Sequence, residues 1–175
     1  MLNTIFLIGY MGAGKSVVGR LLSQINGFNF YDLDQYIEVK EGKKVSEIFN
    51  ENNEVYFRKI ENKYLKEISL LKENKIISTG GGTPCFQNNF EIINESLNST
   101  SIYLKANIDV LVNRLKDSNS DRPLISHLTD ENKLKEFITK HLFERSYYYE
   151  KSKIKLVTDN LEPSEIVKLI TNRLA

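Results

Sequence analysis

"LIGYMGAGKSVVGRLL", residues 7–22, decides the fold. An apolar run over 4–9 ends at a glycine, and an amphipathic stretch begins at Lys15 and Ser16. The eight residues from Gly9 to Ser16 fit the pattern G-x-x-x-x-G-K-[ST]. A strand before that pattern and a helix after it are the context in which it binds phosphate. The glycines let backbone N–H groups converge without Cβ clashes. The following helix adds its unpaired N–H groups and the positive end of its dipole. Lys15 would reach the outer phosphates, and the Ser16 hydroxyl would ligate Mg²⁺. The loop speaks for nucleotide and leaves the reaction open, because NTPases, GTPases and small-molecule kinases all use it.

Outward from this unit the pattern repeats. Val17, Val18, Leu21, Leu22 and Ile25 fall on one helical face. Apolar runs at 28–34, 75–79, 100–106 and 153–159 read as further strands. Helical stretches over 54–72, 107–116, 130–150 and 164–173 separate or follow them, and Pro163 suits the first turn of the last. Alternation of this kind predicts an α/β domain, three layers αβα, with a five-stranded parallel sheet. There is no repeat and no linker, and 175 residues suit one domain. The polar segment 116–132, with Pro123 inside it, fits no element. A loop of that length is either functional or a mobile surface segment.

Composition removes several classes. With 24 basic and 23 acidic residues the net charge is +1, so no bulk field invites nucleic acid, and any anion site must be built from a few placed residues. A single cysteine, Cys85, rules out a disulfide framework or a cysteine-rich metal centre. His127 and His141 offer little for zinc. The apolar runs are too short to span a bilayer. The opening "MLNTIFLIGY" has neither a basic n-region nor a long apolar h-region, so a cytoplasmic protein without membrane association is expected.

The remaining polar residues sort the nucleotide-binding classes. Neither "LKAN" nor "VTDN" supplies the guanine-reading Asn-Lys-x-Asp of a GTPase, and the third strand runs into "STGGGT" with no acid for a motor ATPase. Acids come instead from "FYDLDQY". Asp32 and Asp34, two apart at the end of a strand, would point the same way towards the ligand crevice. One carboxylate could serve a Mg²⁺ shell and the other an acceptor hydroxyl. The alternative is a pair of caps starting the next helix. Arg58, Glu61, Leu65 and Ile68 share a helical face that turns apolar, so Arg58 and Glu61 read either as a preset carboxylate fork facing inward or as an exposed ion pair. Gly80, Gly81 and Gly82 allow close approach of a ligand to backbone. Arg122, in "DRPL", lies where a loop closing over nucleotide would carry transition-state charge. Arg145 continues the stripe of Leu134, Ile138 and Leu142 and reads as a binding group or as a snorkelling surface arginine. The charged "KEGKK" and "LKENK" runs read as solvated faces, and Tyr147, Tyr148 and Tyr149 as packing.

Taken together, "GYMGAGKS", "DLD", "VSEIFNENNEVYFRKIE", "GGG", "RPL" and "ERSYYY" resemble the shikimate kinase family, small P-loop kinases of the nucleoside-monophosphate-kinase type. Order and spacing hold over essentially the whole chain, and Met11 is itself a family mark. Asn53 stands where the family usually has Gly, and Asn tolerates left-handed backbone. "TGGGTP" replaces the more usual Leu-Gly-Gly-Gly-Ala. The resemblance implies ATP-dependent phosphorylation of the 3-hydroxyl of shikimate, on the route to chorismate and the aromatic amino acids, by a monomer with one Mg²⁺. It implies that Asp34 is the base, and that Arg58 and Arg145 grip the carboxylate in a pocket lined by Gly80, Gly81 and Gly82. Glu61 would hold Arg58, and Phe49 and Phe57 would pack by the ring. Asp32 would serve Mg²⁺ through water beside Ser16, while Lys15 and Arg122 stabilise the moving phosphoryl group. Gly12, Ala13, Gly14, Lys15, Ser16 and Val17 would hold the nucleotide, with Arg114 and Pro163 near adenine. An acceptor-binding segment over 34–62 and a mobile lid over 115–128 complete the expectation. The rivals are another small-metabolite kinase, such as a gluconate kinase, and a non-catalytic nucleotide-binding regulator. The first is disfavoured because Arg58 and Arg145 both point at a carboxylate and the Asp-x-Asp and triple glycine accompany them, and the second would need neither Asp34 nor Arg122.

Overall fold

The structure, a computed structural model, describes residues 3–116, 124–125 and 127–174. Five strands form one parallel sheet: β1 (Thr4–Ile8), β2 (Asn29–Asp32), β3 (Lys75–Ser78), β4 (Ser99–Lys105) and β5 (Ile154–Val157). Their order across the sheet is β2-β3-β1-β4-β5. All five residues of β1 are buried, as a strand covered on both faces demands. Helix α1 (Lys15–Asn26) carries the chain from β1 towards the β2 edge, whereas every later crossover runs the other way. Right-handed crossovers therefore put α1 on one face and the other crossover helices on the opposite one. The last helix, α8 (Pro163–Leu174), packs beside α1. The α/β class, the five parallel strands and the layering agree with the sequence reading.

The crossover from β2 to β3 is a helical run of three pieces: α2 (Leu33–Glu41), α3 (Val45–Glu51) and α4 (Glu54–Ser69). β3 leads through the triple glycine into a 3₁₀ turn (Thr83–Cys85) and then α5 (Asn89–Glu95). After β4 come α6 (Ile108–Lys116) and the long α7 (Glu131–Tyr149). Arg122 and most of the expected lid segment lie outside the described residues.

Five local expectations are corrected. The strand expected over 28–34 stops at Asp32, and Leu33 already begins α2. Asp32 is the N-cap, its carboxylate accepting from the backbone N–H of Asp34 (3.2 Å) and Gln35 (3.4 Å). The two aspartates are thus a cap and a first-turn residue rather than alternate positions of one strand. Val17 (58% exposed) and Ile25 (60%) turn away from the core, which takes Val18 and Leu22 from α1. Lys75, in a run expected to be solvated, is 2% exposed, its Nζ donating to the Leu71 carbonyl at 2.6 Å. Burial lowers its pKa. Tyr147 is exposed, so only part of the tyrosine run is packing. Asn53 has extended backbone (φ −128°) and caps α4 through the Tyr56 N–H at 3.0 Å, so left-handed tolerance is not what this position uses.

Candidate active site

β1 ends at the point where crossovers leave in opposite directions, the place where open α/β sheets bind ligands. The loop at that point needs its glycines. Gly9 has φ +147°, and a Cβ there would stand 2.7 Å from the Leu104 carbonyl oxygen. Gly14, left-handed at φ +89°, is the N-cap of α1, so no side chain intrudes on the open N–H groups of the first turn. Lys15 folds back, its Nζ donating to the carbonyls of Gly9 (2.8 Å) and Tyr10 (2.9 Å). Arg114, on α6, donates to the Gly12 carbonyl at 3.1 Å and so touches the same loop. Val17 lies exposed in the first turn, and Ala13 is buried beneath the loop. Pro163 opens α8, the helix beside α1.

The Ser16 hydroxyl donates to Asp32 Oδ2 at 2.5 Å and lies 3.3 Å from Ser78 Oγ. Ser78 and Asp32 face each other in the β2–β3 register. This is a cluster of hard oxygens at the mouth of the phosphate loop. Mg²⁺ suits such a set, since it keeps several waters and takes one or two protein oxygens besides substrate phosphates. Among the described residues no group of three or more His, Cys, Asp or Glu gathers to hold an ion alone. Ser78 escaped the sequence reading because only strand register brings it to Ser16.

The triple glycine is the centre of the second half of the site. A Cβ on Gly80 would lie 3.3 Å from Asp34 Oδ1 and 3.2 Å from Glu61 Oε1. One on Gly81 would meet the Met11 N–H nitrogen at 3.2 Å and Arg145 Nη1 at 3.5 Å. One on Gly82 would stand 2.6 Å from Arg58 Nη2. Asp34, Glu61, Arg58 and Arg145 therefore ring one turn, which itself touches the phosphate loop. Arg58 is buried in α4. Its Nη1 donates to Glu61 Oε2 at 2.9 Å, and its Nε and Nη2 donate to Glu54 Oε1 at 3.2 and 3.0 Å. The guanidinium centre also lies 4.1 Å from the Phe86 ring centroid. Phe57 is buried beside it, and Phe49 packs on Phe57 with centroids 4.5 Å apart. Arg145 is buried on α7 with its guanidinium 5.8 Å from the Tyr10 ring. The inward reading of both arginines stands, and the surface alternatives are excluded.

Asp34 is held in an unusual electrostatic setting. Burial, then the charges of Glu61 and Asp32, push its carboxyl up from 3.8 to about 7, against the opposing pull of Lys15 and Arg58. Tyr10 and His141 share a hydrogen bond of 3.1 Å, and burial together with Arg145 pushes His141 down from 6.5 to about 4. Burial pushes the Cys85 thiol up to about 11, which makes it a poor nucleophile.

A phosphate loop on a parallel sheet, faced by an aspartate of shifted pKa and two buried arginines, defines a small-molecule P-loop kinase. The family model described as "SKI: Shikimate kinase" matches residues 11–175. The shikimate kinase of Flavobacterium johnsoniae is 45% identical over 99% of this chain and 100% of its own length. The crystal structure of shikimate kinase from Bacteroides thetaiotaomicron superposes with a TM-score of 0.88 at 34% identity, covering 99% of each chain. The solved structure of shikimate kinase from Acinetobacter baumannii in complex with shikimate gives a TM-score of 0.87 at 28% identity, covering 99% of this chain and 93% of the other. This chain belongs to the shikimate kinase family, and it is an ATP-dependent kinase that phosphorylates shikimate.

Proposed function

We propose that the chain transfers the γ-phosphate of ATP to the 3-hydroxyl of shikimate, with Asp34 as the base. The observation that carries this reading is the ring of Asp34, Glu61, Arg58 and Arg145 around Gly80, Gly81 and Gly82, directly against the phosphate loop. Arg58 and Arg145 bind the shikimate carboxylate, for which a planar guanidinium fork is suited. Glu61 holds Arg58, and Phe49 and Phe57 pack against the ring. The substrate hydroxyl then lies within reach of Asp34. As the bond from that oxygen to phosphorus forms, the bond to the β-phosphate oxygen breaks, the hydroxyl proton passes to Asp34, and ADP leaves. A pKa near 7 is well placed for a group that must take a proton and later release it.

Gly12, Ala13, Gly14, Lys15, Ser16 and Val17 hold the nucleotide, with Arg114 and Pro163 towards the adenine. Lys15 and Arg122 stabilise charge on the moving phosphoryl group. A single Mg²⁺ would be held by Ser16 and, through water, by Asp32, and would supply Lewis-acid stabilisation of the phosphate oxygens. Residues 34–62 form the acceptor-binding segment and 115–128 the lid that excludes water from the reaction. The enzyme acts as a monomer in the cytoplasm. Among the described residues no helix is long and apolar enough to cross a membrane.

A coupled assay of ADP release, run with shikimate, gluconate and nucleoside monophosphates, tests the acceptor. Turnover with shikimate alone is expected. Turnover with gluconate or a nucleotide at a comparable rate would sink the assignment.

A further inference from the structure

Glu61 sits between two functional groups, Arg58 and Asp34, and is fully buried. One of its oxygens, Oε2, is taken by Arg58 Nη1 at 2.9 Å. The other, Oε1, accepts a hydrogen bond of 2.6 Å from the hydroxyl of Thr83, itself fully buried. Thr83 opens the 3₁₀ turn after the triple glycine. Its own backbone is fixed from both sides. The Thr83 N–H donates to the Gly80 carbonyl at 3.1 Å, and its carbonyl accepts from Asn89 Nδ2 at 2.9 Å. Asn89 is held in turn by Asn62 Nδ2 at 2.7 Å, and Asn62 is the neighbour of Glu61 on α4. A closed chain of hydrogen bonds therefore runs from α4 through α5 and the 3₁₀ turn and back to Glu61.

We propose that Thr83 is a positioning residue for the reaction: its hydroxyl fixes the Glu61 carboxylate so that one oxygen faces Arg58 and the other stays beside Asp34. This rests on the reading of Arg58 as the shikimate-carboxylate group. A buried carboxylate needs its lone pairs occupied. Without the hydroxyl, Glu61 Oε1 loses the hydrogen bond that fixes its orientation, and the carboxylate can turn from its place between Arg58 and the Gly80 turn. Arg58 then loses its fixed orientation, a consequence that falls on shikimate and not on ATP.

The test compares Thr83→Val, which keeps shape and removes the hydroxyl, with Thr83→Ser, which restores it. Thr83→Val should raise KM for shikimate about 5- to 30-fold with KM for ATP unchanged. Thr83→Ser should return the KM for shikimate towards the parent value. If the valine variant does not fold, Thr83→Ala reads the same quantities. No change in either KM, or an equal rise in both, overturns the proposal. Arg58→Ala runs alongside and should raise KM for shikimate about 10- to 150-fold through loss of charged hydrogen bonds. A normal KM there removes the carboxylate reading itself. A raised KM there with a normal one in Thr83→Val removes only the role of Thr83.

Discussion

Asp34 concentrates the chemistry of the site in one carboxyl group. Its position in the first turn of α2 follows from the Asp32 cap, which starts the helix at Leu33 and leaves the Asp34 side chain beside Gly80. There, burial and two neighbouring carboxylates favour the protonated form, and the group titrates at about 7 instead of 3.8. A base works only when deprotonated. kcat/KM for shikimate should therefore fall as pH drops through about 7, roughly tenfold per pH unit well below it. Asp34→Asn should bind both substrates and turn over at a small fraction of the parent rate, with no acid limb near 7. A limb that survives in the variant would assign the titration to another group.

At the scale of elements, the 3₁₀ turn and α4 act as one unit, because the glycine turn has no room for anything but the Arg58 head. Gly82 has ordinary helical backbone (φ −87°), so alanine fits its conformation. A Cβ there would still stand 2.6 Å from Arg58 Nη2 and 2.9 Å from Nη1. A free arginine would swing away, but this one is buried and held by Glu54 and Glu61. Gly82→Ala should therefore fold and bind ATP normally while KM for shikimate rises several-fold. Unchanged shikimate kinetics would mean that the guanidinium can shift without loss. The elements themselves were legible in the sequence wherever periodicity was long. The stripes of α4 and α7 put Arg58, Glu61 and Arg145 on inward faces, and those residues are buried. Some short elements were less legible. The seven residues of α5 show less than two full turns of pattern, and β2 passes into α2 with no intervening loop to mark the change. The role of Thr83 was hidden for another reason: its partner is 22 residues away, and only the packing of α4 on the 3₁₀ turn brings them together.

Over the whole molecule, the site leaves two opposed marks on stability. Asp34 has a folded pKa of about 7 against 3.8, so between those values the folded state holds more protons than the unfolded one. Its ionisation costs stability above about pH 7, and acidification towards 4 relieves that cost. His141 is the reverse. Its folded pKa is about 4 against 6.5, because burial, and then Arg145 one turn along α7, disfavour the imidazolium, only partly offset by Glu144 and Glu54. The unfolded chain takes up the proton first, so His141 costs stability as pH falls from about 6.5 towards 4. The two groups thus titrate over nearly the same window with opposite sign, and the parent protein shows only their difference. Single variants separate them. Asp34→Asn should raise the melting temperature of the ligand-free protein at pH 8, and that advantage should shrink steadily towards pH 4. His141→Gln, which keeps a hydrogen-bonding partner for the Tyr10 hydroxyl but cannot titrate, should gain on the parent as pH falls below about 6.5. Thermal unfolding at half-unit steps from pH 4.5 to 8 reads both differences. Differences that run parallel, or that do not change with pH, would show that these two side chains do not carry the pH dependence of the fold.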